Sequence, residues 1–229
     1  MFFFDPMYFV FALPAILLAM YAQSRVKSNF NKYSQVQTGR RVTGAQVARY
    51  LLDSQGLDHV KVEQVQGFLS DHYDPRGKVL RLSPNVYHST SVAAAGIAAH
   101  EMGHALQDAQ SYAPLVLRSA MVPSVQVGGF LGPLVFMAGL FLSPQLAWLG
   151  VLLFGATVLF SIVTLPVEFD ASSRAKKLLV NQGVLGSSEL EGVNNVLNAA
   201  ALTYVAGALQ ALSTLLYYVF ILMGSGGDD

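Results

Sequence analysis

His100 and His104 stand four residues apart in the stretch AAHEMGHALQD, with Glu101 directly after the first of them. On a helix, residues i and i+4 project from one face, a turn apart. Two imidazoles so placed can grip one zinc ion at about 2.0–2.1 Å each. A carboxylate beside them can then take a proton from a water that zinc activates, and later pass it to a leaving amine. HExxH on a helix is the pattern of zinc proteases for these reasons. A catalytic zinc site uses three protein ligands, so one more is needed. The candidates are His59, His72 and His88 among the histidines, and Glu168, Asp170, Glu189 and Glu191 among the carboxylates.

The rest of the chain sets where these groups can meet. Of 229 residues, 53% are hydrophobic and only 12% are charged, about half the usual share for a soluble domain. Lys+Arg and Asp+Glu are both 14, so no overall charge calls for a nucleic-acid partner. There is no cysteine, which excludes thiolate ligands and a thiol nucleophile. A helical span needs about 20 mostly apolar residues, and four stretches qualify: Phe2–Ala22, Met121–Leu142, Leu146–Leu165 and Ala200–Met223. The first lacks a basic leader and carries Asp5, so it is expected to be a retained anchor rather than a cleaved signal. No span interior holds a charged residue or histidine, which argues against a transporter. Gly128 and Gly132 predict a close helix approach, and Gln126 and Gln210 predict hydrogen bonds between helices.

Basic residues fix the expected orientation. Arg25 to Arg118 lie between the first two spans, and Arg174, Lys176 and Lys177 between the last two; the "SPQ" turn and the GSGGDD tail have none. The positive-inside rule puts those two segments in the cytoplasm and both termini outside. In the larger one, Thr43 to Gln46 reads as a capping box with Gly56 as the stop. VKVEQV (60–65) and GKVLRLS (77–83) predict a small antiparallel sheet with DHYDPRG as the turn between them. GKVLRLS is also a candidate edge for an extended substrate. STSVAAAGIAAHEMGHALQDAQ reads as an Ala-rich helix too short in its apolar part to span, which argues against an intramembrane site. The smaller segment predicts a new helix near Glu168 ending at Gly183, then a second whose Ser188 and Glu191 form a capping box. Because spans two and three form a tight hairpin, Glu168 returns to the HExxH side at the membrane surface. It is taken as the third ligand, with Asp170 hydrogen-bonding a ligand imidazole.

HEMGH, the two-span hairpin and LPVEFDASSRAKKLL together resemble the bacterial neutral zinc metallopeptidases of the YugP type, a family of membrane proteases. SDHYDPRGKVLRLSPNVY and AAALTYVAGAL are similar to that family too, so the resemblance runs over nearly the whole chain. More distantly the layout resembles HtpX-type membrane proteases, which pair HExxH with an E-x-x-A-D helix supplying the third zinc ligand. EFDAS matches at Glu168 and Ala171 but has Ser172 where those relatives carry aspartate. The resemblance implies peptide-bond hydrolysis at the cytoplasmic membrane face.

The expected protein is therefore a membrane α-helical chain of about four transmembrane helices with a small α+β, gluzincin-like cytoplasmic metalloprotease domain. Its expected segments are an anchor (1–22), a cytoplasmic domain (23–120), a transmembrane hairpin (121–166), a cytoplasmic helical segment (167–198), a last span (199–223) and a tail (224–229). One zinc ion per chain sits on His100, His104 and Glu168, with Glu101 as general base. Peptide or protein substrate and the lipid bilayer are the expected partners, and a bacterial plasma membrane the expected location. Arg174, His72 and Tyr204 are candidate donors to the developing oxyanion. The competing reading is a non-catalytic zinc-binding membrane scaffold or chaperone, which would use four protein ligands.

Overall fold

A computed structural model describes residues 6–224; Asp5 and all of the tail beyond Gly224 lie outside them. Among the described residues seven helices and three strands run in the order α1 (Pro6–Ser34), α2 (Gly44–Ser54), β1 (Lys61–Gln64), β2 (His72–Asp74), β3 (Val79–Leu82), α3 (Pro84–Tyr87), α4 (Val92–Ala109), α5 (Ala113–Leu142), α6 (Pro144–Asn181) and α7 (Ser187–Gly224). Among the described residues α1, α5, α6 and α7 are long and apolar enough to cross a bilayer. The described residues are mostly helical with a small sheet, as the apolar stretches and the two short valine- and leucine-rich runs predict. It forms two compact units. One comprises Met1–Ala22, Val116–Pro166 and Thr203–Asp229, the other Gln23–Leu115 and Val167–Leu202.

In the first unit, α5 and α6 join at Ser143 and pack backbone against backbone. A Cβ on Gly139 would lie 2.1 Å from the Ala147 nitrogen, one on Gly150 2.3 Å from the Phe136 nitrogen, and one on Gly128 2.4 Å from the Leu153 oxygen. Only glycine permits that approach, which extends the GxxxG contact along the whole hairpin. Phe136 stacks on Tyr218 of α7 with ring centroids 4.0 Å apart, while Tyr8 and Phe11 of α1 meet Tyr217. Gln210 donates to Thr214 on its own helix at 3.4 Å, not to a neighbour. Its side chain finds a partner one turn on, which removes the need for an interhelical one.

The second unit holds the polar chemistry. Thr43 accepts from the Gln46 nitrogen at 3.2 Å while Gln46 accepts from the Thr43 nitrogen at 2.8 Å, so the capping box starts α2 as expected. Gly56 follows the helix end at φ +70°, a conformation glycine adopts without strain. The sheet differs from expectation. Its order is β1-β3-β2, with β1 parallel and β2 antiparallel to β3. His72–Asp74, expected within the turn, is itself a strand. Asp74 accepts from the Arg76 and Gly77 nitrogens, so the turn proper is only the few residues after it. β3 thereby becomes the central strand with both edges paired, and it cannot be the edge that receives a substrate.

Two further expectations change. α6 runs without a break through Pro166, so Glu168 sits inside a 38-residue helix and not at the start of a new one. Proline forfeits one backbone hydrogen bond, and the helical turns on either side of it carry α6 through. Likewise α7 is one helix from Ser187. Its start is closed by Glu189, which accepts from the Gly186 nitrogen at 2.7 Å, in the role expected of Glu191. The core of this unit gathers Leu51 and Leu52 of α2, Leu80 and Leu82 of β3, Met102 of α4, Leu179 of α6 and Val193 of α7. Met102 lies between the two histidines in sequence, so burying it turns the opposite helix face, with His100 and His104, towards α6.

A candidate metal centre between two helices

Ser91 starts α4 by accepting from the Ala94 nitrogen at 3.2 Å. The alanines that follow, Ala93 to Ala95, Ala98, Ala99 and Ala105, are all buried. Small side chains let α4 lie close to its neighbours, and the approach is tightest at Gly103. A Cβ there would be 2.6 Å from the Ala171 oxygen of α6. Gly103 thus explains the residue before His104, and Ala171 the small residue three places after Glu168.

That crossing brings three ligand-type atoms together. Nε2 of His100 lies 3.3 Å and Nε2 of His104 3.6 Å from Oε2 of Glu168. Among the described residues these three form a group whose ligand atoms all lie within 4.8 Å of one another. A tetrahedral ion with bonds of about 2.0–2.1 Å needs its ligand atoms roughly 3.3 Å apart. The donor set, two imidazoles and a carboxylate, fits zinc in type and in spacing. His59, His72 and His88 are exposed and outside the group. His72 Nδ1 faces the Ser70 oxygen at 2.8 Å and His88 Nε2 faces Gln64 at 2.9 Å. Glu189 is committed to the Gly39 and Gly186 nitrogens.

Electrostatics follow from this crowding. Burial pushes the Glu168 carboxyl up, but the hydrogen bonds and charges of His100 and His104 outweigh it and hold it well below the usual carboxylate range. Burial opposes charge on His104 as well, yet the bond to Glu168 and the nearby Glu101 raise it above the ordinary value. Glu101 is 8% exposed, and burial raises its carboxyl despite the two histidines beside it. A raised carboxyl is what a group that first takes and later returns a proton requires.

The surroundings of the imidazoles differ from expectation. Asp170 hydrogen-bonds neither ring. His104 Nδ1 faces Gln107 Oε1 at 3.0 Å, and it is Gln107 that reaches Asp170, at 2.8 Å. His100 Nδ1 faces Ser172 Oγ at 3.1 Å, so Ser172 meets one of the two imidazoles. Gln107 was not among the residues singled out in the sequence. The signal for it was a polar side chain three residues beyond His104, on the same helix face. Arg174 is tied down: it donates to Asp170 and to Gln110, each at 2.5 Å, and lies over the Tyr112 ring. Asp108, next to Gln107, accepts from Tyr73 at 2.7 Å and pairs with Lys78 at 2.6 Å, anchoring α4 to the sheet.

A trio of zinc-type ligands, with Glu168 buried and the two histidines partly buried, lies beside the buried Glu101, and among the described residues four helices are long and apolar enough to cross a bilayer. Residues 8–223 match the family described as "Putative neutral zinc metallopeptidase", and the chain belongs to that family. It is 49% identical over 225 residues to the protein described as "Putative membrane protease YugP" from Bacillus subtilis (strain 168), covering 97% of this chain and 100% of that one. No solved structure matches the chain.

Proposed function

We propose that this chain is an integral-membrane zinc metalloendopeptidase that hydrolyses peptide bonds at the cytoplasmic membrane face. In this reading His100, His104 and Glu168 hold one zinc ion per chain, and Glu101 is the catalytic base in a gluzincin-like arrangement. The single observation that carries it is the convergence of His100 Nε2, His104 Nε2 and Glu168 Oε2 beside the buried Glu101. Zinc bound there supplies a Lewis acid that activates water and polarises the scissile carbonyl.

The chain's own groups do the rest. Glu168, held ionised, contributes the negative charge that the two neutral imidazoles lack. Glu101 takes a proton from the attacking water on its carboxylate, keeps it in a buried site, and delivers it to the leaving nitrogen. An extended substrate would add to a sheet edge through main-chain hydrogen bonds. With β3 enclosed, the edges on offer are those of β1 and β2, and β2 is the one whose Tyr73 is bonded to the HExxH helix. The orientation supported by the basic residues puts the site in the cytoplasm and both termini outside. A scaffold would use four protein ligands, whereas three is the catalytic pattern.

The test is Glu101→Gln in the full-length chain in detergent, with zinc content and cleavage of an unfolded protein both measured. Zinc is expected to stay at one ion per chain while cleavage falls by about 10²–10⁴-fold, the usual contribution of a general acid–base group. Full cleavage by a zinc-loaded variant would refute the mechanism.

A further inference from the structure

The geometry points to Gln107 as the positioning residue that decides which nitrogen of His104 carries its hydrogen, and so commits Nε2 to the metal. This rests on the proposed zinc site. Gln107 is fully buried, at 0% exposure. Its Nε2 donates to the Val167 backbone oxygen at 2.8 Å and to Asp170 Oδ2 at 2.8 Å. An amide nitrogen has two hydrogens, and both are used. Both acceptors are incapable of donating: one is a carbonyl, the other a carboxylate that also receives Arg174 Nε. Turning the amide over would set its oxygen against two oxygens, so its orientation is not free.

What remains for His104 Nδ1, 3.0 Å away, is Gln107 Oε1, which can only accept. Nδ1 must therefore bear a hydrogen, which leaves Nε2, 3.6 Å from Glu168 Oε2, as the nitrogen a metal would take. His100 has no such lock. Its Nδ1 faces the Ser172 hydroxyl, which can donate or accept. The same glutamine joins the two helices that carry the ligands, since Val167 directly precedes Glu168. Arg174, bound to both Asp170 and Gln110, closes the chain of bonds back onto the segment after α4.

The test uses the full-length chain in detergent, labelled with 15N-histidine and loaded with zinc. The ring nitrogens of His104 are expected to show a hydrogen on Nδ1 and a metal-shifted Nε2. Gln107→Met, of similar length but with no amide, is expected to lower zinc affinity about 10- to 100-fold in a chelator competition, with His104 exchanging between its two forms. A His104 bound through Nδ1 in the parent chain overturns the inference while leaving the zinc site standing. A folded Gln107→Met that keeps its affinity within about twofold overturns it as well. Should that variant fail to fold, the spectrum of the parent chain decides alone. Zinc that leaves His104 unshifted sinks the site itself.

Discussion

Replacing Gly103 with alanine tests the crossing that builds the site. The added Cβ would sit 2.6 Å from the Ala171 oxygen and 3.1 Å from its carbonyl carbon and Cα, against an ordinary contact of 3.4 Å or more. The shortfall at the oxygen is therefore about 0.8 Å, and backbone has no rotamer with which to yield. α4 and α6 must part by roughly that amount. Overpacking costs about 1–3 kcal/mol, and alanine recovers about 1 kcal/mol over glycine in a helix, so the metal-free chain should lose only about 0–2 kcal/mol. Zinc binding should suffer far more. The donor atoms start 3.3 and 3.6 Å apart, and a functional site tolerates displacements of only about 0.5 Å. A fall in zinc affinity of about 10- to 100-fold is expected, read by competition with a chromogenic chelator. Gly96→Ala is the control: its Cβ meets the methyl groups of Val193 at 3.2 and 3.3 Å, which can give by a few tenths of an ångström, so affinity should hold. Undiminished zinc binding by Gly103→Ala would refute the claim that this contact sets the ligand spacing.

Three other outcomes are expected. Gly139→Ala, whose Cβ would lie 2.1 Å from the Ala147 nitrogen, should lower the thermal midpoint in detergent, whereas Gly155→Ala, with nothing within 4 Å, should not. Thr43→Ala breaks the capping box of α2 and should cost about 1 kcal/mol in a denaturant titration. Burial raises the Asp71 carboxyl above 3.8 despite its bonds from Ser83. Its folded value exceeds its unfolded one, so folding favours the protonated form and stability declines as pH rises through the folded value. Asp71→Asn should then raise the thermal midpoint at neutral pH relative to the parent, with the gain vanishing below about pH 3.8.

The four long helices were legible because a bilayer demands about 20 apolar residues in a row, a signal carried by composition alone. The pair His100 and His104 was legible because helical period fixes their shared face. Glu168 was reached by following the hairpin back to the side of the HExxH helix, an argument from topology that needed no knowledge of packing. The sheet resisted. β2 has three residues, His72–Asp74, set among turn-forming neighbours, and its pairing with β3 is a matter of tertiary contact. Once β2 takes one edge of β3, β1 pairs with the other, and it does so in parallel, with Lys61 opposite Val79. Pro166 read as a boundary because proline weakens an isolated helix; the flanking apolar turns outweigh it. Gln107 and Ser172 were hidden for a different reason. Their partners lie on another helix, 63 and 72 residues away, and sequence spacing does not report such pairs.

The most direct test of the central claim is the position of zinc itself, located by anomalous scattering at the zinc edge in crystals of the full-length chain. The account predicts one peak per chain, about 2.0–2.2 Å from His100 Nε2, His104 Nε2 and a Glu168 carboxylate oxygen, with no fourth protein ligand. A peak elsewhere, or one completed by a fourth side chain, would contradict it.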